Sequence, residues 1–215
     1  MNVFHEIRAG RLPVPETPCL VVDESLAREN IARVQQGVNA AGCQLRPHIK
    51  THKMPYFARL QLEAGAAGIT CAKVSEAEVM ADGGAEDIFL AYPMVGDFRI
   101  KRALALSQRV RRLILAVDSL AGAKALSDAA VAAGLALEVR LEVDTGAQRT
   151  GVLRDHAVDL AKAVAALPNL RLTGIYTFKS LVLHGAPTQD NDAAGKEEAQ
   201  LMYDAAQAIR AAGVE

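Results

Sequence analysis

The chain has no tryptophan, and aromatic residues make up only 4% of its 215 positions. That scarcity argues against recognition of bases by stacking. It also lacks an excess of positive charge: 24 Lys and Arg stand against 25 Asp and Glu, a net charge of −1. No basic field is therefore available to recruit nucleic acid or an anionic lipid surface. No run approaches the ~18 apolar residues a membrane helix needs. The first stretch, MNVFHEIRAGRLPVPETP, has no apolar segment of leader type and is broken by three prolines. Cysteine is sparse as well. Cys19, Cys43 and Cys71 are an odd number at wide spacing with no CxxC pair. They are expected to be reduced, mostly buried thiols of a soluble, cytoplasmic protein.

What is present is a globular composition, 51% hydrophobic and 23% charged, sufficient for one large core. Apolar runs alternate with helical patterns, which predicts a parallel α/β architecture. The apolar run Cys19-Leu20-Val21-Val22-Asp23 precedes a helix carrying Ala27, Ile31, Val34, Val38 and Ala41 at helical spacing, ended by Gly42. Strands are expected over Gln44 to Lys50, Ala67 to Lys73, Asp87 to Tyr92, Arg112 to Asp118, Leu137 to Asp144 and Leu170 to Phe178. A helix opens near Met54-Pro55. Ser75 and Glu78 have capping-box spacing, with Val74 and Val79 in staple positions. Ser119 and Asp155 are candidate N-caps. The polar stretch from Lys179 to Ala194 reads as a long loop, followed by a helix from about Lys196 to Ala212.

No GxGxxG follows any strand, which disfavours a dinucleotide-binding open sheet. The alternative is a (β/α)8 TIM-type barrel. About six barrel strands follow the Cys19 run where closure needs eight, so the barrel is expected to be incomplete, with exposed strand edges.

Alternation along Leu45 to Lys50 puts Arg46, His48 and Lys50 on one face and Leu45, Pro47 and Ile49 on the other. In a barrel the charged set faces the axis, and Lys50 lies at the C-terminal mouth, where such folds hold their active sites. A lysine there is either covalently used, since an imine avoids burying an ammonium, or it snorkels from a strand end to a loop carboxylate. His48 and His52 do not have helical i, i+4 placement, so orientation of neighbours is favoured over a metal pair. In Glu142-Val143-Asp144-Thr145-Gly146-Ala147-Gln148-Arg149-Thr150-Gly151 a strand ends and two glycines let the loop approach a ligand. Arg149 either binds an anionic oxygen or is a solvated loop arginine. Lys73, Tyr92, Asp118, Tyr176, Phe178 and Lys179 are further strand-end candidates, each of which also has a structural reading.

Together these motifs resemble the fold-type III pyridoxal-phosphate family, with its alanine racemase-type N-terminal domain, and within it the D-threonine aldolase and D-serine dehydratase branch. RPHIKTHK (Arg46 to Lys53) is similar to that branch's lysine motif. TPCLVVD (Thr17 to Asp23), CAKVSEAEVM (Cys71 to Met80) and LAYPMVG (Leu90 to Gly96) agree in order and spacing, and DTGAQRTGV (Asp144 to Val152) is similar to a segment shared with alanine racemases. The resemblance implies pyridoxal 5'-phosphate held as a Schiff base by Lys50, with Arg149 at the cofactor's phenolic oxygen. His48, Tyr176 and Phe178 complete the expected cofactor-binding set, and no metal ligand is assigned in this chain. Phe178 departs from the histidine of racemases and the tyrosine usual in the branch; Ser180 stands where the branch tends to have glycine.

The implied function is a lyase acting on D-configured β-hydroxy amino acids, by retro-aldol cleavage of D-threonine-like substrates or dehydration of D-serine-like ones. An amino-acid racemase and a non-catalytic pyridoxal-phosphate carrier are the alternatives. The resemblance further implies a divalent metal (Mn, Mg or Zn) and a homodimer when full length. Metal ligands, the phosphate-binding turns and a C-terminal β domain are expected to lie beyond residue 215. Residues 1–215 are thus read as one pyridoxal-phosphate-binding barrel truncated at its C-terminal end, expected to be inactive alone.

Overall fold

A computed structural model describes residues 3–13, 16 and 18–214. Thr17, the first residue of the TPCLVVD stretch, lies outside the described residues. Two helices, α1 (Val3–Arg8) and α2 (Glu24–Ala40), precede an irregular segment that ends in a single 3-10 turn, Ile49–Thr51. From there strand and helix alternate: α3 (Pro55–Glu63), β1 (Ile69–Cys71), α4 (Val74–Asp82), β2 (Asp87–Pro93), α5 (Asp97–Ser107), β3 (Arg112–Val117), α6 (Leu120–Ala133) and β4 (Leu137–Asp144). The short β5 (Val152–Leu153), a 3-10 turn at Arg154–His156, α7 (Ala157–Ala165), β6 (Leu170–Tyr176), the hairpin β7 (Val182–Leu183) and β8 (Ala186–Pro187), and α8 (Asn191–Ala211) complete the chain.

Six strands form one parallel sheet in the order β1-β2-β3-β4-β5, with β6 also paired to β4. Ile69 aligns with Ile88, Ile88 with Leu113, Ile114 with Glu138, and Leu137 with Leu170. The barrel does not close. Its two faces follow from the period of two in each strand. Val139, Leu141 and Val143 of β4, with Ile88, Leu90, Leu115 and Val117, pack outward against Ala77, Met80, Ala103, Leu126 and Ala161 of the helices. The same strands turn Phe89, Ile114 and Ala116 to the other face, where Ala91 and Tyr176 join them. Below that cluster lies a charged floor: Arg46 pairs with Asp87 at 2.7 Å, while Glu138 takes Arg112 at 2.6 Å, Arg171 at 3.1 Å and the Thr173 hydroxyl at 2.7 Å.

Several expectations are corrected. The run Gln44 to Lys50 is not a regular strand; His48 makes one parallel bridge to Thr70, beside the backbone bonds Thr70 N–H to Pro47 O and Ala67 N–H to Leu45 O. Pro47 has no N–H to give a ladder, and His48 Nδ1 accepts the Lys50 N–H at 3.3 Å, bending the chain into the 3-10 turn. Helix α4 does not use the Ser75/Glu78 capping box. Lys73 is its N-cap without a side-chain bond, Glu78 pairs with Arg102, and Val79 is exposed. The β1 strand stops early because the Ala72 N–H goes to Glu76 Oε2 at 2.9 Å.

Asp155 lies inside a 3-10 turn and caps no α-helix, whereas Ser119 does cap α6, accepting from the Gly122 N–H. Helix α8 starts at Asn191, capped by Asp190, earlier than the expected start at Lys196. The polar stretch before it carries the β7–β8 hairpin. Residues 19–22 form no strand, and Leu20 is fully exposed. All three thiols are free, but only Cys71 is buried; Cys19 and Cys43 are exposed, against the expectation for two of the three. Among the described residues no helix is long and apolar enough to cross a membrane.

Candidate active site

The inner face of the sheet ends, at the C-terminal side of its strands, in a cavity of about 280 Å³. Its walls bring together the five residues of the expected cofactor-binding set: His48 and Lys50 from the bent segment after Arg46, Arg149 from the β4–β5 loop, Tyr176 from the end of β6 and Phe178 just beyond it. A larger cavity of about 530 Å³, beside Lys73, Tyr92 and Arg102, and one of about 380 Å³ near Asp155 and Glu197 contain none of the five.

Lys50 and Arg149 converge on one ring. The Lys50 Nζ lies 5.2 Å from the Phe178 centroid and the Arg149 guanidinium 4.9 Å from it. Lys53 and Lys179 each pair with a glutamate, but Lys50 has no such carboxylate among the described residues. A ring face attracts a cation only modestly, and among the described residues neither of the two cations sharing this ring has an ion pair.

The β4–β5 loop that carries Arg149 is shaped by its backbone. Asp144 Oδ1 accepts the N–H groups of Gly146 at 2.8 Å and Gln148 at 3.2 Å. Gly151 has φ 101°, and a Cβ there would lie 2.8 Å from the Asp144 nitrogen, so only glycine fits. Asp118, at the end of β3, faces the Gly151 N–H at 3.5 Å.

Glu142 is the site residue the sequence analysis did not single out. It is buried, and its two oxygens accept the Thr150 hydroxyl and the Tyr176 hydroxyl, each at 2.8 Å. Burial, and then the Glu142 carboxylate, push the Tyr176 phenol far above its ordinary value, so it remains a donor. Its ring meets Phe89 edge-on at 4.9 Å. The available signal was alternation in β4, which places Glu138, Arg140 and Glu142 on the inner face.

Burial, reinforced by the nearby Lys50 charge, lowers the His48 imidazole below the usual histidine range, so it is neutral at pH 7. His52 is also lowered by burial. Its Nδ1 accepts the Met54 N–H at 3.0 Å, and its ring stands edge-on to Phe57. Both imidazoles therefore serve the backbone. Of the other candidates, Lys179 is fully buried against Glu197, and Lys73 and Tyr92 are exposed away from the site.

The donor set suits a planar aldehyde that carries an anionic ring oxygen: an amine without a carboxylate, a guanidinium on the same aromatic ring, and a neutral imidazole. Pyridoxal 5'-phosphate has that chemistry. Among the described residues no three His, Cys, Asp or Glu side chains are placed to hold a metal ion, so they do not fit a metal site.

A parallel α/β sheet with helices packed outside it and no barrel closure defines the fold class, an incomplete TIM-type barrel. More specifically, residues 22–215 match the model of the alanine racemase N-terminal domain, and the chain belongs to that family. It is 37% identical to a D-threo-3-hydroxyaspartate dehydratase from Delftia sp. (strain HT23), covering 93% of this chain and 53% of that protein. With a D-threonine aldolase from Arthrobacter sp. the identity is 32%, over 93% of this chain and 52% of the relative. The crystal structure of a D-threonine aldolase from Filomicrobium marinum superposes with a TM-score of 0.86 at 32% identity, covering 93% of this chain and 54% of that one. The chain thus spans about half the length of the relatives it matches.

Proposed function

We propose that residues 1–215 act as one cofactor-binding unit of a pyridoxal-phosphate-dependent lyase for D-configured β-hydroxy amino acids, with Lys50 as the attachment point. The observation that carries this reading is the convergence of Lys50 and Arg149 on Phe178, with no carboxylate paired to the lysine among the described residues. The names of the relatives, an aldolase and a dehydratase of D-amino acids, support the substrate class.

When bound, the cofactor supplies an electron sink for charge developing at the substrate's Cα. The protein's contribution is placement and electrostatics. His48 holds the Lys50 backbone N–H and, being neutral, adds no positive charge beside the amine. Arg149, a permanent cation, would hold an anionic ring oxygen of the cofactor when it is bound. Phe178 offers a ring face and no exchangeable proton, so it takes no part in proton transfer. Tyr176 and Thr150 occupy both oxygens of Glu142, so that carboxylate braces the β6 end against the Arg149 loop.

The test is addition of pyridoxal 5'-phosphate, borohydride reduction and peptide mapping. The label is expected on Lys50, and a label elsewhere would overturn the reading. With the full protein, D-threonine should yield glycine, or D-serine should yield ammonia; formation of neither product would sink the lyase assignment.

A further inference from the structure

The lysine motif contains a second amine three residues after the first, and the structure treats the two differently. In a 3-10 turn the side chains at i and i+3 eclipse. Continuing the Ile49–Thr51 turn would therefore put Lys53 on the same side as Lys50, facing the same cavity. The chain does not continue it. Lys53 has φ 53°, in the left-handed region unusual for a residue with a long side chain, and its N–H still closes on Ile49 O at 2.8 Å. Its ammonium is paired with Glu76, which comes from the first turn of α4 and is buried.

Glu76 is held in turn: its other oxygen accepts the Ala72 N–H at 2.9 Å. Burial alone would raise its carboxyl, but the Lys53 ammonium and the Ala72 N–H outweigh that and hold it below the usual range, so it is ionised at pH 7. It also lies close enough to His48 for each to act on the other's charge. One side of the turn thus has a fixed carboxylate and the other has Lys50.

We propose that Glu76 is a positioning residue that selects between the two lysines, pinning Lys53 as an ion-paired ammonium turned out of the cavity so that Lys50 alone is open to an aldehyde. This rests on the reading of Lys50 as the attachment point, but its central claim, suppression of Lys53, can be measured without the cofactor. In Glu76→Gln the amide oxygen still accepts the Ala72 N–H, while the negative charge facing Lys53 is lost.

Two measurements on the full chain decide it. In the first, a limiting dose of acetic anhydride is followed by mass spectrometry of the two lysines. Lys53 should acetylate roughly threefold faster in Glu76→Gln, as expected for the loss of a half-exposed ion pair, while Lys50 changes little. In the second, borohydride mapping after cofactor addition should show label shared with Lys53 in Glu76→Gln and confined to Lys50 in the unaltered chain. Lys53→Arg, which keeps the ion pair but cannot take the label, should leave Lys50 labelling unchanged. An unchanged Lys53 acetylation rate, or an unchanged label ratio in a folded Glu76→Gln, overturns the proposal. Should Glu76→Gln fail to fold, Glu76→Asp, which withdraws the carboxylate by one methylene, provides the same comparison. If the unaltered chain takes no label on Lys50, the cofactor reading fails, and the acetylation comparison still decides the role of Glu76.

Discussion

The inner face of the sheet has a floor and a mouth, and they handle charge in opposite ways. On the floor, Arg46, Asp87, Arg112, Glu138 and Arg171 are mutually paired, and Glu138 also takes the Thr173 hydroxyl. At the mouth, Lys50 and Arg149 lean on Phe178, and no carboxylate among the described residues pairs with the lysine. The same contrast separates single residues: Lys179 is buried and matched by Glu197, whereas Lys50 is exposed to the cavity and has no ion pair among the described residues. Burying a charge is tolerated when a partner compensates it. The paired charges of the floor are therefore accounted for by the fold, and Arg140 beside them rests on the Phe89 ring, 5.7 Å from its centroid; the Lys50 amine differs in being open to the cavity, where a ligand can reach it.

Substitutions should separate the two regions. Lys50→Ala should have the largest effect of all on cofactor capture, reducing borohydride-trapped label to background. Because Lys50 is exposed, its melting temperature should match that of the unaltered chain. Retained label would make the mouth no different from any lysine-bearing surface. Glu138→Ala should do the reverse. Removing one partner of a buried pair costs roughly 3–5 kcal/mol, reduced here to about 2–3 kcal/mol because Arg112 is 37% exposed. Urea denaturation would read that loss, with label still on Lys50. Arg149→Met should fall between the two, weakening cofactor binding roughly tenfold, about 1.4 kcal/mol, for the loss of one charge-assisted contact. Equilibrium titration with the cofactor measures it.

How far the sequence revealed these regions depends on the range of the interactions that build them. Strand β4 runs from Leu137 to Asp144, as its strict alternation of apolar and charged residues predicts. The shared face of Arg46, His48 and Lys50 was legible for the same reason, and all three line the cavity. The strand expected there was not, because Pro47 cannot donate and the His48 ring captures the Lys50 N–H. Non-local partners account for most other differences. Glu78 is taken by Arg102, 24 residues away, which removes the capping box at Ser75; Glu76 is taken by Lys53, 23 residues away. Glu142 was passed over because a glutamate in an alternating strand reads equally well as solvent-facing until Tyr176 and Thr150 are brought to it.

The smallest expected effect is in the pH dependence of the floor, and its sign distinguishes floor from mouth. Burial by itself would raise the Glu138 carboxyl, but the Arg112 guanidinium and the Thr173 hydroxyl outweigh it and hold the group below its ordinary 4.5 in the folded chain. A carboxyl depressed on folding binds its proton more weakly in the native state. Its contribution to stability is therefore fully present above about pH 4.5 and is lost as pH falls through the folded value. Glu138→Gln has no carboxyl to protonate, so the stability gap between it and the unaltered chain should be constant near neutrality and narrow below about pH 4.5. Lys50 and Arg149 hold no carboxylate of this kind, so Lys50→Ala should follow the unaltered chain's acid slope throughout. Denaturation series at closely spaced acidic pH values measure both gaps. A Glu138→Gln gap that stayed constant into acid would mean that the floor is held by packing, and that its paired charges contribute as little as those on the surface.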